Sequence, residues 1–236
     1  DEYMPKKGEL SNNLRNFDRD RVLLFDEKQV FDQVIEEGEF PLFSNSYLLL
    51  IGKKPQTVYA KFSNDRAKAW AIRTLIHKSA AGTFLVEKQP NDKEANAHIV
   101  HTYQAYEALS KRYEGTKIRM NECKRTPQSI VFPFCPGKTL EELLDERLDE
   151  QDAEGFRKLI EEYMYWLSYN EEANVSNIDF IFPNILVDGD TWHVIDYEWT
   201  FDRTVPAKDI AFRAFYNYLL GGEGRKACEE LLMQDV

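Results

Sequence analysis

The sequence predicts a bilobed α+β protein, with a small antiparallel sheet plus one helix in its N-terminal half and a mostly helical C-terminal half. Three observations predict it. Short β-type runs separated by turn-forming clusters crowd residues 43–89. A single long amphipathic helix follows them. Beyond Pro136-Gly137 the apolar spacing becomes helical almost throughout, broken by one hairpin. With 236 residues, 43% of them hydrophobic, the chain has enough material for one bilobed domain or two small ones. The expected division is an N-terminal extension over 1–40, an N-lobe over 41–135 and a short C-lobe over 136–236.

Taken in order, residues 1–20 are polar and read as loose. Lys28 to Glu37 predicts a helix with Val30, Phe31, Val34 and Ile35 on one face, closed by Gly38 and Pro41. Tyr47–Ile51, Thr57–Phe62, Ala71–Ile76 and Thr83–Lys88 then read as strands of a meander. Their turns are Gly52-Lys53-Lys54-Pro55, Ser63-Asn64-Asp65-Arg66 and Ala80-Ala81-Gly82. Asp92 is placed to cap a helix reaching about Tyr113, with Ile99, Tyr103, Tyr106 and Leu109 as its apolar stripe. Lys117–Cys123 and Ser129–Phe134 are strand-like. Helices over Thr139–Leu148 and Glu154–Tyr169 follow, the first with a solvated acidic face. Asn184–Val187 and Thr191–Ile195 form a hairpin across Asp188-Gly189-Asp190. A helix from about Lys208 to Leu220 and a short terminal one complete the chain.

Composition narrows the classes. Thirty basic against 41 acidic residues give a net charge of −11, which disfavours nucleic acid and anionic lipid as partners. No apolar run is long enough to span a membrane. Cys123, Cys135 and Cys228 contain no CxxC spacing, which argues against structural zinc and for a reducing, cytoplasmic setting. The chain begins at Asp1, so it reads as part of a larger multidomain protein.

The hairpin carries the chemistry. Pairing Val187 beside Thr191 would bring Asn184 and Asp196 together at the open end of the ribbon. A carboxamide and a carboxylate there supply hard oxygen donors suited to Mg²⁺. Asp179, five residues before Asn184, stands as a separate carboxylate able to orient a hydroxyl. Metal ligands plus one positioned base is the layout that phosphoryl transfer requires. Tyr197 and Trp199 bring aromatic faces close to this end, and flat faces suit a sugar ring or a quaternary ammonium group. Glu198 reads as a supporting carboxylate or an exposed partner.

Asp179 to Asn184 resembles the D-x-x-x-x-N catalytic loop of the protein-kinase-like superfamily, and Val194-Ile195-Asp196-Tyr197-Glu198 resembles the metal-binding motif of choline kinases and aminoglycoside phosphotransferases. Thr83 to Lys88 is similar to the strand ending at the phosphate-binding lysine, and Val131 to Leu140 to the hinge with its Gly-x-Thr-Leu. Phe43 to Tyr47 and Lys61 to Arg66 are also similar to kinase-like segments of bacterial surface-polysaccharide enzymes. The resemblance covers about residues 57–215 and implies a protein-kinase-like fold transferring the γ-phosphoryl group of ATP, with Mg²⁺, to an alcohol. It implies catalytic roles for Asp179 and Lys88 and metal ligation by Asn184 and Asp196. It also implies adenine contacts along Phe132, Phe134 and Cys135. Lys61 is the rival phosphate lysine; Glu94 is favoured over Glu107 as partner of Lys88, with His98 able to share that face.

Departures shape the expectation. Asn177 stands where the family loop carries histidine, and no glycine-rich loop precedes Lys88; the amides of the Ser63–Arg66 turn, the Ser63 hydroxyl and Arg66 are the expected substitute for holding phosphates. About ten residues separate Asp196 from the next helix, too few for a protein-kinase activation segment. A small-molecule or glycan acceptor is therefore expected, and the resemblance to surface-polysaccharide enzyme segments implies a saccharide hydroxyl. The alternative is a kinase-like module that binds nucleotide or a partner without catalysis.

Overall fold

The computed structural model describes residues 5–8, 27–43, 56–63 and 66–228. The expected strand at Tyr47–Ile51, the Gly52–Pro55 turn, Asn64, Asp65 and the end of the terminal helix lie outside the described residues. The chain forms two compact units, one from residues 1–100 and 123–134, the other from 101–122 and 135–236.

The first unit opens with α1 (Glu27–Glu36) and the one-turn α2 (Phe40–Phe43). Residues 5–8 dock on α1: Gly8 N–H donates to Asp32 at 2.8 Å and Lys7 pairs with Glu36 at 2.6 Å. The meander is β1 (Thr57–Phe62), β2 (Ile72–Lys78) and β3 (Phe84–Pro90). Helix α3 (Asn96–Arg112) follows a single 3₁₀ turn at Lys93–Ala95, with Asp92 accepting from the Glu94 amide as cap. Strands β4 (Ile118–Met120), β5 (Lys124–Arg125) and β6 (Ile130–Pro133) come next. The first sheet is antiparallel throughout, in the order β1-β2-β3-β6-β5. The two-residue β5 carries no apolar alternation and left no signal in the sequence.

β4, expected in the N-terminal lobe, does not join that sheet. It pairs in parallel with β10 (Thr191–Val194) of the second unit, and the Asn121 amide extends the ladder to the Val194 carbonyl. Both Ile118 and Met120 are thereby buried. The second sheet has the order β4-β10-β9-β7, with β7 at Lys138–Thr139 and β9 at Ile185–Asp188. Gly137, at φ +133°, lets the backbone run beside β9, because an added Cβ would stand 3.3 Å from the Val187 carbonyl oxygen.

Helices α4 (Leu140–Asp149), α5 (Ala153–Leu167) and α6 (Ala207–Leu220) build the rest of the second unit. Thr139 and Glu142 form a reciprocal capping box at α4, which fixes its start one residue later than expected. A third, two-stranded sheet pairs β8 (Ser176–Asn177) with β11 (Thr200–Phe201). The aromatic stripe of α5 is split: Tyr163 is core, packed with Phe180 and Phe182, whereas Tyr165 is exposed. Arg112 is buried and its guanidinium donates to the carbonyls of Leu167, Tyr169 and Val175, which serves the C-terminal end of α5 and the segment after it.

An antiparallel sheet, the long helix α3 and a mostly helical C-terminal half carrying a hairpin fit the α+β class expected from the sequence. Among the described residues no helix is long and apolar enough to cross a membrane.

Candidate active site

The loop from Asn177 to Asn184 is built by alternation. Phe180 and Phe182 are driven into the aromatic core, and the Tyr163 hydroxyl donates to the Phe180 carbonyl at 2.8 Å. The polar residues that flank them, Asn177, Asp179 and Asn184, are left to serve the loop. Asn177 accepts from the Asp179 amide at 2.9 Å, and the Asn184 carboxamide donates to the Asp179 carbonyl at 3.0 Å. The second bond commits the Asn184 nitrogen, so its amide oxygen is the atom left to ligate a cation. Asn177 is buried, and its side-chain nitrogen has no hydrogen-bond partner in the structure.

The hairpin register differs from expectation by one residue. Asp188, not Val187, stands opposite Thr191, so the turn is the two-residue Gly189-Asp190 with Gly189 at φ +55°. Asn184 then faces Ile195, whose amide donates to its carbonyl at 2.9 Å. Asp196 lies one residue further and turns away from the ladder through a left-handed φ of +55°, a conformation aspartate tolerates better than most residues. Its side chain is exposed.

Three carboxylates act on one another here. Burial pushes the Asp179 carboxyl above the ordinary carboxylate value. Arg213 on α6 pulls it back through a 2.7 Å ion pair, and the charges of Asp196 and Glu198 push it up again. Glu198 is only 5% exposed, which makes it a structural carboxylate of the site rather than a solvent partner. Arg213 was not singled out in the sequence. The available signal was its place as the lone cation among the apolar residues of the last three turns of α6.

Tyr197 corrects an expectation. It is 1% exposed, its hydroxyl donates to the Asn121 carbonyl at 2.7 Å and its ring stacks on Tyr106. It holds the motif from behind and offers no surface to an acceptor. Trp199 is half-buried, and its carbonyl accepts from the Ile178 amide at 3.0 Å, tying it to the loop.

In the first unit, Lys88 faces the same side of the sheet as Thr74, Ile130 and Phe132. Lys61 shares that face through Thr74 but is exposed, whereas Lys88 is 7% exposed. A buried ammonium requires compensation that an exposed one does not. Glu94 is exposed on the first turn, and His98, one turn on, is buried. Glu107 belongs to the second unit. Phe132 is buried and Phe134 exposed; Cys135 is half-buried, which pushes its thiol above the ordinary value. The amides of Ser63 and Arg66 are bonded to the Ile72 and Ser63 carbonyls. These two amides are therefore already engaged, and among the described groups of that turn the Ser63 hydroxyl and the Arg66 side chain are the ones a phosphate would meet.

Among the described residues no three His, Cys, Asp or Glu side chains form a group able to hold a metal alone. The donor set still suits Mg²⁺, which takes one or two protein oxygens and fills its shell with water and substrate phosphates. Three carboxylates against one guanidinium also leave the cluster short of positive charge.

No family model matches the chain, and no curated protein matches it. The solved structures similar to it include two macrolide 2′-phosphotransferases. One is the apoenzyme of the macrolide 2′-phosphotransferase MphH from Brachybacterium faecium, at 11% identity and a TM-score of 0.36 over 73% of this chain and 82% of that one. The other is a macrolide 2′-phosphotransferase type I, at 12% identity and a TM-score of 0.42 over 89% of this chain and 82% of that one.

Proposed function

We propose that this chain is an ATP- and Mg²⁺-dependent phosphotransferase acting on an alcohol group, with a saccharide hydroxyl as acceptor in polysaccharide biosynthesis. The observation supporting the reading is the second unit's cluster: a half-buried Asp179 carboxylate held by Arg213, with the oxygen donors of Asn184 and Asp196. Asp179 would orient the acceptor hydroxyl and accept its proton. Asn184 and Asp196 would hold Mg²⁺, which when bound offsets the charge developing on the phosphate oxygens. In the first unit Lys88 would hold phosphate oxygens, with Ser63 and Arg66 side chains assisting. Backbone groups of the segment from Phe132 to Cys135 would contact adenine, and Glu94 or Glu107 would support Lys88. Trp199 would present its ring to the acceptor. The protein would act in the cytoplasm as part of a larger multidomain chain, without nucleic acid or a membrane span.

The test is a screen of saccharides, choline and ethanolamine with γ-labelled ATP, read by mass spectrometry. A phosphorylated saccharide is expected. Turnover of choline alone would move the substrate class and leave the reaction standing. Nucleotide binding with no turnover on any acceptor would favour a non-catalytic kinase-like module.

A further inference from the structure

We propose that Arg213 is the positioning residue of the reaction, fixing the Asp179 carboxylate in one rotamer so that a single oxygen is presented to the acceptor hydroxyl; the inference rests on the phosphotransferase reading. The guanidinium makes two bonds to the catalytic loop. Its Nη2 donates to Asp179 Oδ1 at 2.7 Å, and its Nε donates to the Ile178 carbonyl at 3.1 Å. A planar fork that grips both the carboxylate and the backbone one residue before it leaves the side chain little freedom to rotate. Oδ1 already accepts this bond, which leaves Oδ2 as the oxygen with its full acceptor capacity for a hydroxyl.

The surroundings make such a grip necessary. Asp196 and Glu198 repel the Asp179 carboxylate, and Arg213 attracts it. Left to the repulsion, the side chain would turn away from the cluster. Arg213 is held in turn by α6, where its own carbonyl accepts from the Asn217 carboxamide at 2.8 Å and Ala211 and Ala214 on either side are buried. The anchor therefore comes from a packed helix and not from the loop that it positions. A misplacement of about 1 Å in a reacting group is enough to lower a rate on the order of 10²-fold.

The experiment compares wild type with Arg213→Met, Arg213→Lys, Asp179→Asn and the double variant Arg213→Met/Asp179→Asn, using the acceptor found in the screen. Arg213→Met is expected to lower kcat by about 10²-fold, with KM for ATP changed less than about twofold. Arg213→Lys keeps the charge and loses the fork, so it should regain part of the loss. The double variant should be no slower than Asp179→Asn, because Arg213 acts through that carboxylate. Multiplying losses in the double variant, or a rise in KM for ATP matching the fall in kcat, would overturn the assignment. If Arg213→Met does not fold, Arg213→Lys paired with Asp179→Asn carries the same cycle. Wild type inactive on every acceptor would defeat the phosphotransferase reading and this inference together. An active wild type with multiplying losses would defeat this inference alone.

Discussion

Tyr163 and Phe180 meet twice: the tyrosine hydroxyl donates to the Phe180 carbonyl at 2.8 Å, and the two rings stack with centroids 5.8 Å apart. The first contact anchors the loop backbone next to Asp179, the second anchors its side chain in the core. Tyr163→Phe keeps the stack and leaves a buried carbonyl without its donor. Stability is expected to fall by about 1–3 kcal/mol, read as a lower denaturant midpoint with unchanged slope.

The Asp196 ligand is tested without turnover. Mg-ATP at about 100-fold its Kd should stabilise the native state by roughly 2.7 kcal/mol, seen as a raised Tm. Asp196→Asn should remove most of the Mg²⁺-dependent part and keep the shift seen with ATP alone. An unchanged melting curve at millimolar Mg-ATP would count against any nucleotide site.

Asp179→Asn preserves size and the Arg213 hydrogen bond but accepts a proton poorly. Nucleotide-induced stabilisation is expected to survive while kcat falls by about 10² or more. Wild-type-like turnover would take Asp179 out of the role.

Trp199 is half-buried beside the cluster, and its main chain is tied to Ile178. Trp199→Ala should raise KM for the acceptor by about tenfold, the loss of one well-packed aromatic contact, with KM for ATP little changed. Equal effects on both substrates would show that the ring supports the fold instead.

Glu87 on β3 is hydrogen-bonded to His77 on β2, to Gln89 on its own strand and to Ser129, one residue before β6. Burial raises its carboxyl, but those bonds together outweigh it and hold the group below its ordinary 4.5. A depressed folded value means that its contribution is complete above 4.5 and is lost as pH falls through the folded value. Glu87→Gln should therefore melt below wild type at neutral pH, with the gap closing below about pH 4.5. A gap that is constant with pH would show that the charge plays no part.

Much of this architecture was legible because it rests on local periodicity. The meander strands, α3 and its Asp92 cap, and the hairpin all follow from spacing and turn chemistry. The site was legible as far as its residues are close in sequence, namely Asp179, Asn184 and Asp196. The hairpin register was misplaced by one residue because Asp188-Gly189-Asp190 permits either a two- or a three-residue turn. Tyr197 was misread because its fate is decided by Asn121 and Tyr106, distant partners that no window of sequence contains. The same holds for Arg213, which reaches Asp179 across 34 positions.

The parallel pairing of β4 with β10 sets a timetable for biosynthesis. Ile118–Met120 leaves the ribosome roughly seventy residues ahead of Thr191–Val194, about 4 to 15 s at 5–20 residues per second. Throughout that interval a strand with two apolar side chains waits with an unpaired edge, the kind of intermediate that chaperones bind. Neither unit is a continuous stretch of chain, so cutting near residue 135 should yield a fragment that keeps an orphaned strand and aggregates.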